Sequence, residues 1–184
     1  MIENEFKLML TEEQYNQILS MYDWDKQINQ TNYYYDNDSL SLTEKRITCR
    51  VREIGDEYFL QMKFLADKDY SRIELEKKLS ELPEVLSGEQ LSELAEQSGF
   101  PSVKKLGALT TFRSVKHFDG AEIDLDKSTY FGKTDYELEI EFTDEAAARQ
   151  LLSQITEKLG VIPVGDVCIG KKGRFMAEYI ITSE

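Results

Sequence analysis

Histidine occurs once in these 184 residues and cysteine twice. A lone histidine, His117, has no partners for a His-ligated metal centre or a Ser–His–Asp triad, and it reads as a surface residue. Cys49 and Cys168 are too few for a disulfide framework, and neither has a neighbouring histidine to make a thiolate, so both read as packing residues. No apolar run approaches the length of a membrane span. The N-terminus is acidic, with no basic region or apolar signal core, so a cytoplasmic protein with no membrane partner is expected. Basic charge is also short: 22 Lys and Arg face 35 Asp and Glu, for a net charge of −13. That balance argues against nucleic acid as the main partner, because nucleic acid needs a basic face. It leaves room for a small anion held by a local basic cluster. What remains, 41% hydrophobic and 31% charged residues, describes an ordinary globular chain long enough for one domain over 1–184.

Hydrophobic periodicity divides the chain into strands and a few helices. Residues 2–10 alternate as a strand, and Thr11-x-x-Gln14 has the form of a capping box opening a helix to about Tyr22. Strands are expected at 27–35, 46–54, 57–64, 70–77, 105–117, 120–127 and 134–142. Asp36-Asn37-Asp38-Ser39 marks a turn and Gly55-Asp56 a hairpin. Residues 82–98 read as helical or irregular. Asp144 caps a helix to about Leu159, ended by Gly160 and Pro163, and a last helix covers 170–180. Seven or eight antiparallel strands with about four helices, lacking regular strand–helix alternation, exclude a parallel doubly wound sheet. A faint echo relates two halves, roughly 1–100 and 101–184: Arg50 and Arg52 precede a Gly-Asp turn, and Arg113 precedes an Asp-Gly turn.

The polar faces of these strands carry most of the functional information. Alternation puts Glu3, Glu5 and Lys7 on one face of the first strand, and Thr48, Arg50 and Arg52 on one face of another. Further faces carry Gln61 with Lys63, Arg72 with Glu74 and Glu76, and Thr111 with Arg113. Two more carry Glu122, Asp124 and Asp126, and Glu137, Glu139 and Glu141. A sheet wet on one side alternates in this way too. Here, however, nearly every polar position is ionisable, and the signs are segregated by strand. Rows of like charge repel unless opposite charge lies between them. A metal beside the carboxylates and a polyphosphate beside the guanidiniums would supply it. Were the sheet to close, these faces would line a charged channel, with the apolar faces outward under helices.

In this order the residues resemble the CYTH superfamily, the triphosphate tunnel metalloenzymes. Glu3-x-Glu5-x-Lys7 is similar to the ExExK signature. The likeness continues through Asn32-Tyr33-Tyr34-Tyr35-Asp36, Arg50-Val51-Arg52-Glu53, Lys63, Arg72-x-Glu74-x-Glu76, Leu106-Gly107, Thr111-x-Arg113, Glu122-x-Asp124-x-Asp126 and Glu137-x-Glu139-x-Glu141 to Lys171 and Arg174. The chain looks most like the small stand-alone CYTH proteins of Gram-positive bacteria. The resemblance implies an α+β fold, a closed eight-stranded antiparallel β-barrel with helices outside. It also implies action on a small triphosphate-containing substrate (inorganic, nucleoside or thiamine triphosphate) with Mg²⁺ or Mn²⁺. By the same resemblance Lys7, Arg50, Arg52, Lys63, Arg72, Arg113 and Lys171 bind phosphate, and Glu3, Glu5, Glu137, Glu139 and Glu141 hold metal. Glu74, Glu76, Glu122, Asp124 and Asp126 are further tunnel acids. Glu3, Glu5, Lys63 and Tyr35 form the candidate catalytic set, with Lys63 and a tyrosine from Tyr33–Tyr35 assisting proton transfer.

The chain departs from the family pattern at two places. Gln61 stands where a Thr is frequent, and Gly170-Lys171-Lys172-Gly173-Arg174-Phe175 replaces a more usual Ser-Lys-Tyr-x-Arg-Phe. The string from Gly165 to Lys172 nearly spells a P-loop but lacks the Ser or Thr that would bind Mg²⁺. Trp24 and the ten tyrosines read as packing groups. The expected activity is a metal-dependent triphosphatase. A class IV-type adenylate cyclase and a non-catalytic polyphosphate- or nucleotide-binding regulator are the alternatives.

Overall fold

The computed structural model describes residues 2–68, 70–160 and 169–183. Among these are nine strands: β1 (Ile2–Leu10), β2 (Lys26–Asp36), β3 (Thr48–Ile54), β4 (Glu57–Leu65), β5 (Ser71–Leu79), β6 (Val85–Leu86), β7 (Val103–Phe118), β8 (Ala121–Tyr130) and β9 (Lys133–Phe142). Eight of them pair antiparallel in the order β1-β9-β8-β7-β2-β3-β4-β5, and β5 pairs with β1 again, so the sheet closes into a barrel. The two-residue β6 extends β7 outside the ring. Closure removes the free edges that an open sheet of this size would expose.

The helices are α1 (Glu12–Leu19), α2 (Ser41–Glu44), α3 (Gly88–Ala95), α4 (Glu145–Leu159) and α5 (Lys171–Ser183). The Thr11 capping box forms: Gln14 N donates to Thr11 Oγ1 at 3.2 Å, and Thr11 N to Gln14 Oε1 at 2.8 Å. This helix ends at Leu19, earlier than its sequence pattern suggests. Trp24 Nε1 donates to the Leu19 carbonyl at 2.9 Å and satisfies a terminal acceptor that another turn would have used. Asp144 caps α4 as expected, and Gly160 ends it at φ +63°. Residues 82–98 resolve into β6 and α3, the latter opened by a second capping box on Ser87 and Gln90. Both φ values are positive at Phe131-Gly132, the two residues joining β8 to β9, as a type I′ hairpin requires. No helix among the described residues is long and apolar enough to cross a membrane.

The turn after β2 contains α2, which the sequence pattern does not announce. Fully buried Asp36 builds it. Oδ1 accepts from Asn37 N at 2.9 Å and Leu42 N at 3.0 Å, and Oδ2 accepts from Thr43 N at 2.8 Å and Thr43 Oγ1 at 2.6 Å. Removing this carboxylate strands the buried Leu42 N–H and three half-buried donors, so Asp36→Ala is expected to lower stability by about 3 kcal/mol. Urea unfolding measures it, and a loss under about 0.5 kcal/mol, the range of a neutral surface change, would show that the loop holds without Asp36.

The apolar faces of the strands point outward, as their alternation requires. Phe6, Ile123, Leu125, Leu138 and Ile140 meet Tyr15 and Ile18 of α1 and Leu151 and Ile155 of α4. On the other side Tyr35, Cys49, Val51, Leu60 and Met62 pack against Leu42 of α2 and Leu91 of α3. Burial pushes the Cys49 thiol up to about 12, so it is an inert packing group, and Cys168 lies outside the described residues. A third cluster is different. Tyr34, Leu109 and Tyr130 share the inward face of their strands with the charged residues, and they meet Phe175 and Met176 of α5. This helix stoppers one end of the barrel. Gly107 permits the close approach, since a Cβ there would lie 3.0 Å from the Phe175 ring.

Candidate functional site

Inside the barrel is a cavity of about 560 Å³, a size common for small-molecule sites. Nine cationic side chains line it: Lys7, Arg46, Arg50, Arg52, Lys63, Arg72, Arg113, Lys171 and Lys172. Among the described residues four carboxylates do so: Glu3, Glu5, Glu139 and Glu141. In a chain of net charge −13 this is a concentrated basic lining. Burial, with Arg50 and Arg113 nearby, pulls Arg52 down to about 10. The group stays charged at neutral pH, in surroundings where burial and neighbouring cations outweigh the pull of Glu74.

Acids dominate the opposite wall, formed by β1, β8 and β9. Register pairs Lys7 with Glu139 and Glu5 with Glu141 across β1 and β9, and Arg113 with Asp126 across β7 and β8. Arg113 grips Asp126 with two parallel bonds, Nε to Oδ1 at 2.8 Å and Nη2 to Oδ2 at 2.7 Å, and it also reaches Asp124 and Glu139. From α5, Lys171 Nζ sits 2.8 Å from Asp126 and Glu137 and 2.9 Å from Glu139. Glu139 therefore meets three cations, Lys7, Arg113 and Lys171. Burial opposes its ionisation, but these cations outweigh burial and hold the carboxyl well below its usual range.

Negative charge is in surplus a few ångströms away. Glu5, Glu139 and Glu141 offer oxygens within 4.8 Å of one another, and so do Glu122, Asp124 and Glu141. Burial pushes Glu141 up to about 7, with Glu139 adding to the rise against Arg113. Burial pushes Asp124 up to about 8 despite Arg113, with Glu141 and Asp126 adding to it. Asp124 is buried, and its Oδ1 has no hydrogen-bond partner among the described residues. Hard oxygen donors, excess negative charge and an orphaned carboxylate oxygen together suit a hard divalent cation.

The CYTH domain family model matches residues 1–167. The chain belongs to the CYTH family. A protein of Bacillus subtilis (strain 168), YjbK, named as a candidate triphosphatase, is 32% identical over 170 residues, covering 87% of each chain. The CYTH fold also appears in a candidate adenylate cyclase of Bacillus halodurans, with TM-score 0.76 at 24% identity over 94% of this chain and 96% of that one. A Hippeastrum protein described as a candidate adenylyl cyclase with a dominant triphosphatase activity superimposes with TM-score 0.72 at 19% identity, covering 96% of both chains.

The CYTH barrel brings most of the sequence-nominated residues together, but not all. Tyr35 is a correction. Alternation along β2 turns Asn32 and Tyr34 inward and Tyr35 outward, where its hydroxyl donates to the Pro83 carbonyl at 2.5 Å within the outer core. It cannot serve Lys63 in the tunnel. Glu137 is also placed differently: it is buried, 2.9 Å from Arg174 and 2.8 Å from Lys171, outside both carboxylate groups, and so it anchors α5. Glu3 lines the tunnel yet lies outside those groups, 2.5 Å from Lys63, whose ammonium is equally close to Glu74. Glu76 is exposed at the rim and accepts from Gln61 Nε2 at 2.6 Å.

Other participants were given no site role by the linear pattern. Gln61 bridges Arg50 Nε, at 2.7 Å, to Glu74 and Glu76. Arg46 and Lys172 line the cavity, and Lys172 Nζ ties α5 to the Ile47 carbonyl at 2.6 Å. His117 is half-exposed, but it joins Asp25 at 3.0 Å to Glu122 at 2.6 Å at the edge of the acidic group. The only sequence signal for His117 was its parity with Arg113. The near-P-loop string is in part outside the described residues, and its final lysines open α5.

Proposed function

We propose that this chain hydrolyses inorganic triphosphate or a closely related triphosphate-containing compound, held in the tunnel with Mg²⁺ or Mn²⁺. The observation that carries this reading is the tunnel's charge: a cation-rich lining inside an acidic protein, facing two carboxylate groups that share Glu141. A polyphosphate with a divalent cation complements both sides at once. The triphosphatase names of the Bacillus subtilis and Hippeastrum relatives support the same chemistry.

On this reading Arg50, Arg52, Lys63 and Arg72 bind phosphoryl oxygens along the basic wall, the arginines through their planar donor forks. Lys7, Arg113 and Lys171 meet the oxygens nearest the acids. Glu5, Glu139 and Glu141, with Asp124, would hold the cation. When bound, that cation neutralises phosphoryl charge and makes water easier to deprotonate. Water adds to the terminal phosphorus while the anhydride P–O bond breaks, and the bridging oxygen leaves with the diphosphate. Most of the barrier reduction comes from positioning and charge stabilisation. Lys63, steadied by Glu3 and Glu74, presents its ammonium to the leaving oxygen. Lys171 couples α5 to this centre, so closure of the stoppered end and assembly of the acidic wall are one structural event.

Phosphate release from tripolyphosphate, ATP and thiamine triphosphate, each with Mg²⁺, Mn²⁺ or EDTA, tests the proposal. Metal-dependent release that EDTA abolishes is expected. Cyclic AMP as the main product from ATP would favour the cyclase named for the Bacillus halodurans neighbour. Tight tripolyphosphate binding without turnover would make the chain a polyphosphate-binding protein.

A further inference from the structure

Asn32 lies on the tunnel-facing side of β2, only 1% exposed, and pairs across the sheet with Arg52 on β3 and Leu109 on β7. Its Oδ1 accepts a hydrogen bond from Arg52 Nε at 3.1 Å. A guanidinium can only donate, so this bond decides which end of the amide is which. The nitrogen must point elsewhere. Nδ2 is buried and has no hydrogen-bond partner among the described residues. One strand away, buried Arg50 Nη2 is in the same condition: Gln61 takes Nε, and the nearest Glu74 oxygen is 3.7 Å off, too far for a hydrogen bond.

Buried donors without acceptors are costly and uncommon in folded proteins. Two on adjacent strands, both on the basic wall of one cavity, define what would satisfy them. The missing group must bring lone pairs, and beside Arg50 and Arg52 it gains by being anionic. A non-bridging phosphoryl oxygen has both properties. A third guanidinium at this depth would add to the burial and repulsion that already lower the proton affinity of Arg52. An amide supplies a donor without that charge.

We propose that Asn32 is a phosphate-binding residue of the tunnel, its Nδ2 donating to a non-bridging oxygen of the bound polyphosphate while its Oδ1 holds Arg52 toward the same ligand. This rests on the reading of the tunnel as a polyphosphate site.

Two variants test it. Asn32→Ala removes the donor and the acceptor, whereas Asn32→Asp keeps the acceptor for Arg52 and removes only the donor. Tripolyphosphate binding is measured by calorimetry in EDTA and again with Mg²⁺, alongside kcat, KM and the ligand-free melting temperature. For Asn32→Ala, binding about tenfold weaker or worse is expected, the value of a hydrogen bond to a charged group. KM rises in parallel, and kcat stays within about twofold because the interaction is made before the reaction as well as during it. Asn32→Asp binds more weakly still, through repulsion of the anion, yet melts at or above the wild-type temperature. Both variants binding within twofold of wild type would overturn the proposal, as would a fall in kcat at unchanged KM. Wild-type protein that fails to bind tripolyphosphate in either buffer defeats the tunnel reading itself. Wild-type protein that binds without turnover defeats only the hydrolase reading, and the calorimetry then decides the role of Asn32.

Discussion

Glu139→Gln is expected to reduce metal-dependent triphosphate hydrolysis by about 10³-fold, the scale of losing a principal electrostatic group from a preorganised site. The substitution preserves shape and removes one negative charge at the place where Lys7, Arg113 and Lys171 converge. It also leaves the Glu5 and Glu141 group one candidate ligand short. Stability falls as well, by about 3 kcal/mol, because removing one partner from a buried ionic network leaves cations uncompensated. Urea unfolding separates the two effects. Turnover within tenfold of wild type in a protein destabilised by that amount would reduce Glu139 to a structural ion-pair hub. The milder variant Glu5→Gln then becomes the discriminating one, since among the described residues Glu5 pairs with one cation, Lys7, at 3.0 Å.

Mg²⁺ affinity is expected to rise about 10²- to 10³-fold between pH 6 and pH 9. Asp124 at about 8 and Glu141 at about 7 hold their protons at pH 6 and have released them by pH 9. Each proton that must leave to admit the cation weakens apparent binding about tenfold per pH unit below its pKa. The sign for stability follows from the same shifts. Both carboxyls bind protons more tightly in the folded chain than in the unfolded one. Their contribution is therefore complete below about pH 4 and is lost as pH rises through about 7 to 8. Glu139 acts oppositely: its depressed pKa contributes above the ordinary carboxylate range and is lost on acidification. Metal-free protein should thus lose melting temperature from pH 6 to pH 9, and Mg²⁺ should restore progressively more of it. A flat Mg²⁺ response across that range would place the cation away from Asp124 and Glu141.

Which parts of this were readable in advance has a consistent physical explanation. Period-2 alternation assigned Glu3, Glu5 and Lys7 to one face and Phe6 and Leu8 to the other, because successive side chains of a strand cannot share a side. The same rule placed Arg50, Arg52, Arg113, Glu139 and Glu141 together on inward faces once the strands were paired. It also explains the error at Tyr35. In a run of three tyrosines the pattern is silent about which one turns inward, and Asn32 and Arg52, opposite each other across β2 and β3, decide in favour of Tyr34. The carboxylates of β9 look equivalent in sequence, yet Glu137 is claimed by Lys171 and Arg174 from a helix more than thirty residues downstream. No local signal reports such a contact.

Strand alternation, cap chemistry at Thr11 and Asp144, and the segregation of charge by strand are local properties, and the amino-acid order alone determined them. They were enough to nominate the charged faces and most of the residues on them. Ring closure between β1 and β5, the entry of α5 into one end of the barrel, and the division of acids into those paired with Arg113 and Lys171 and those left in surplus came only with the tertiary structure. Each of these depends on distances between residues far apart in the chain. At those distances the balance between burial and opposite charge sets whether a carboxylate is held ionised, as at Glu139, or kept protonated near neutral pH, as at Asp124.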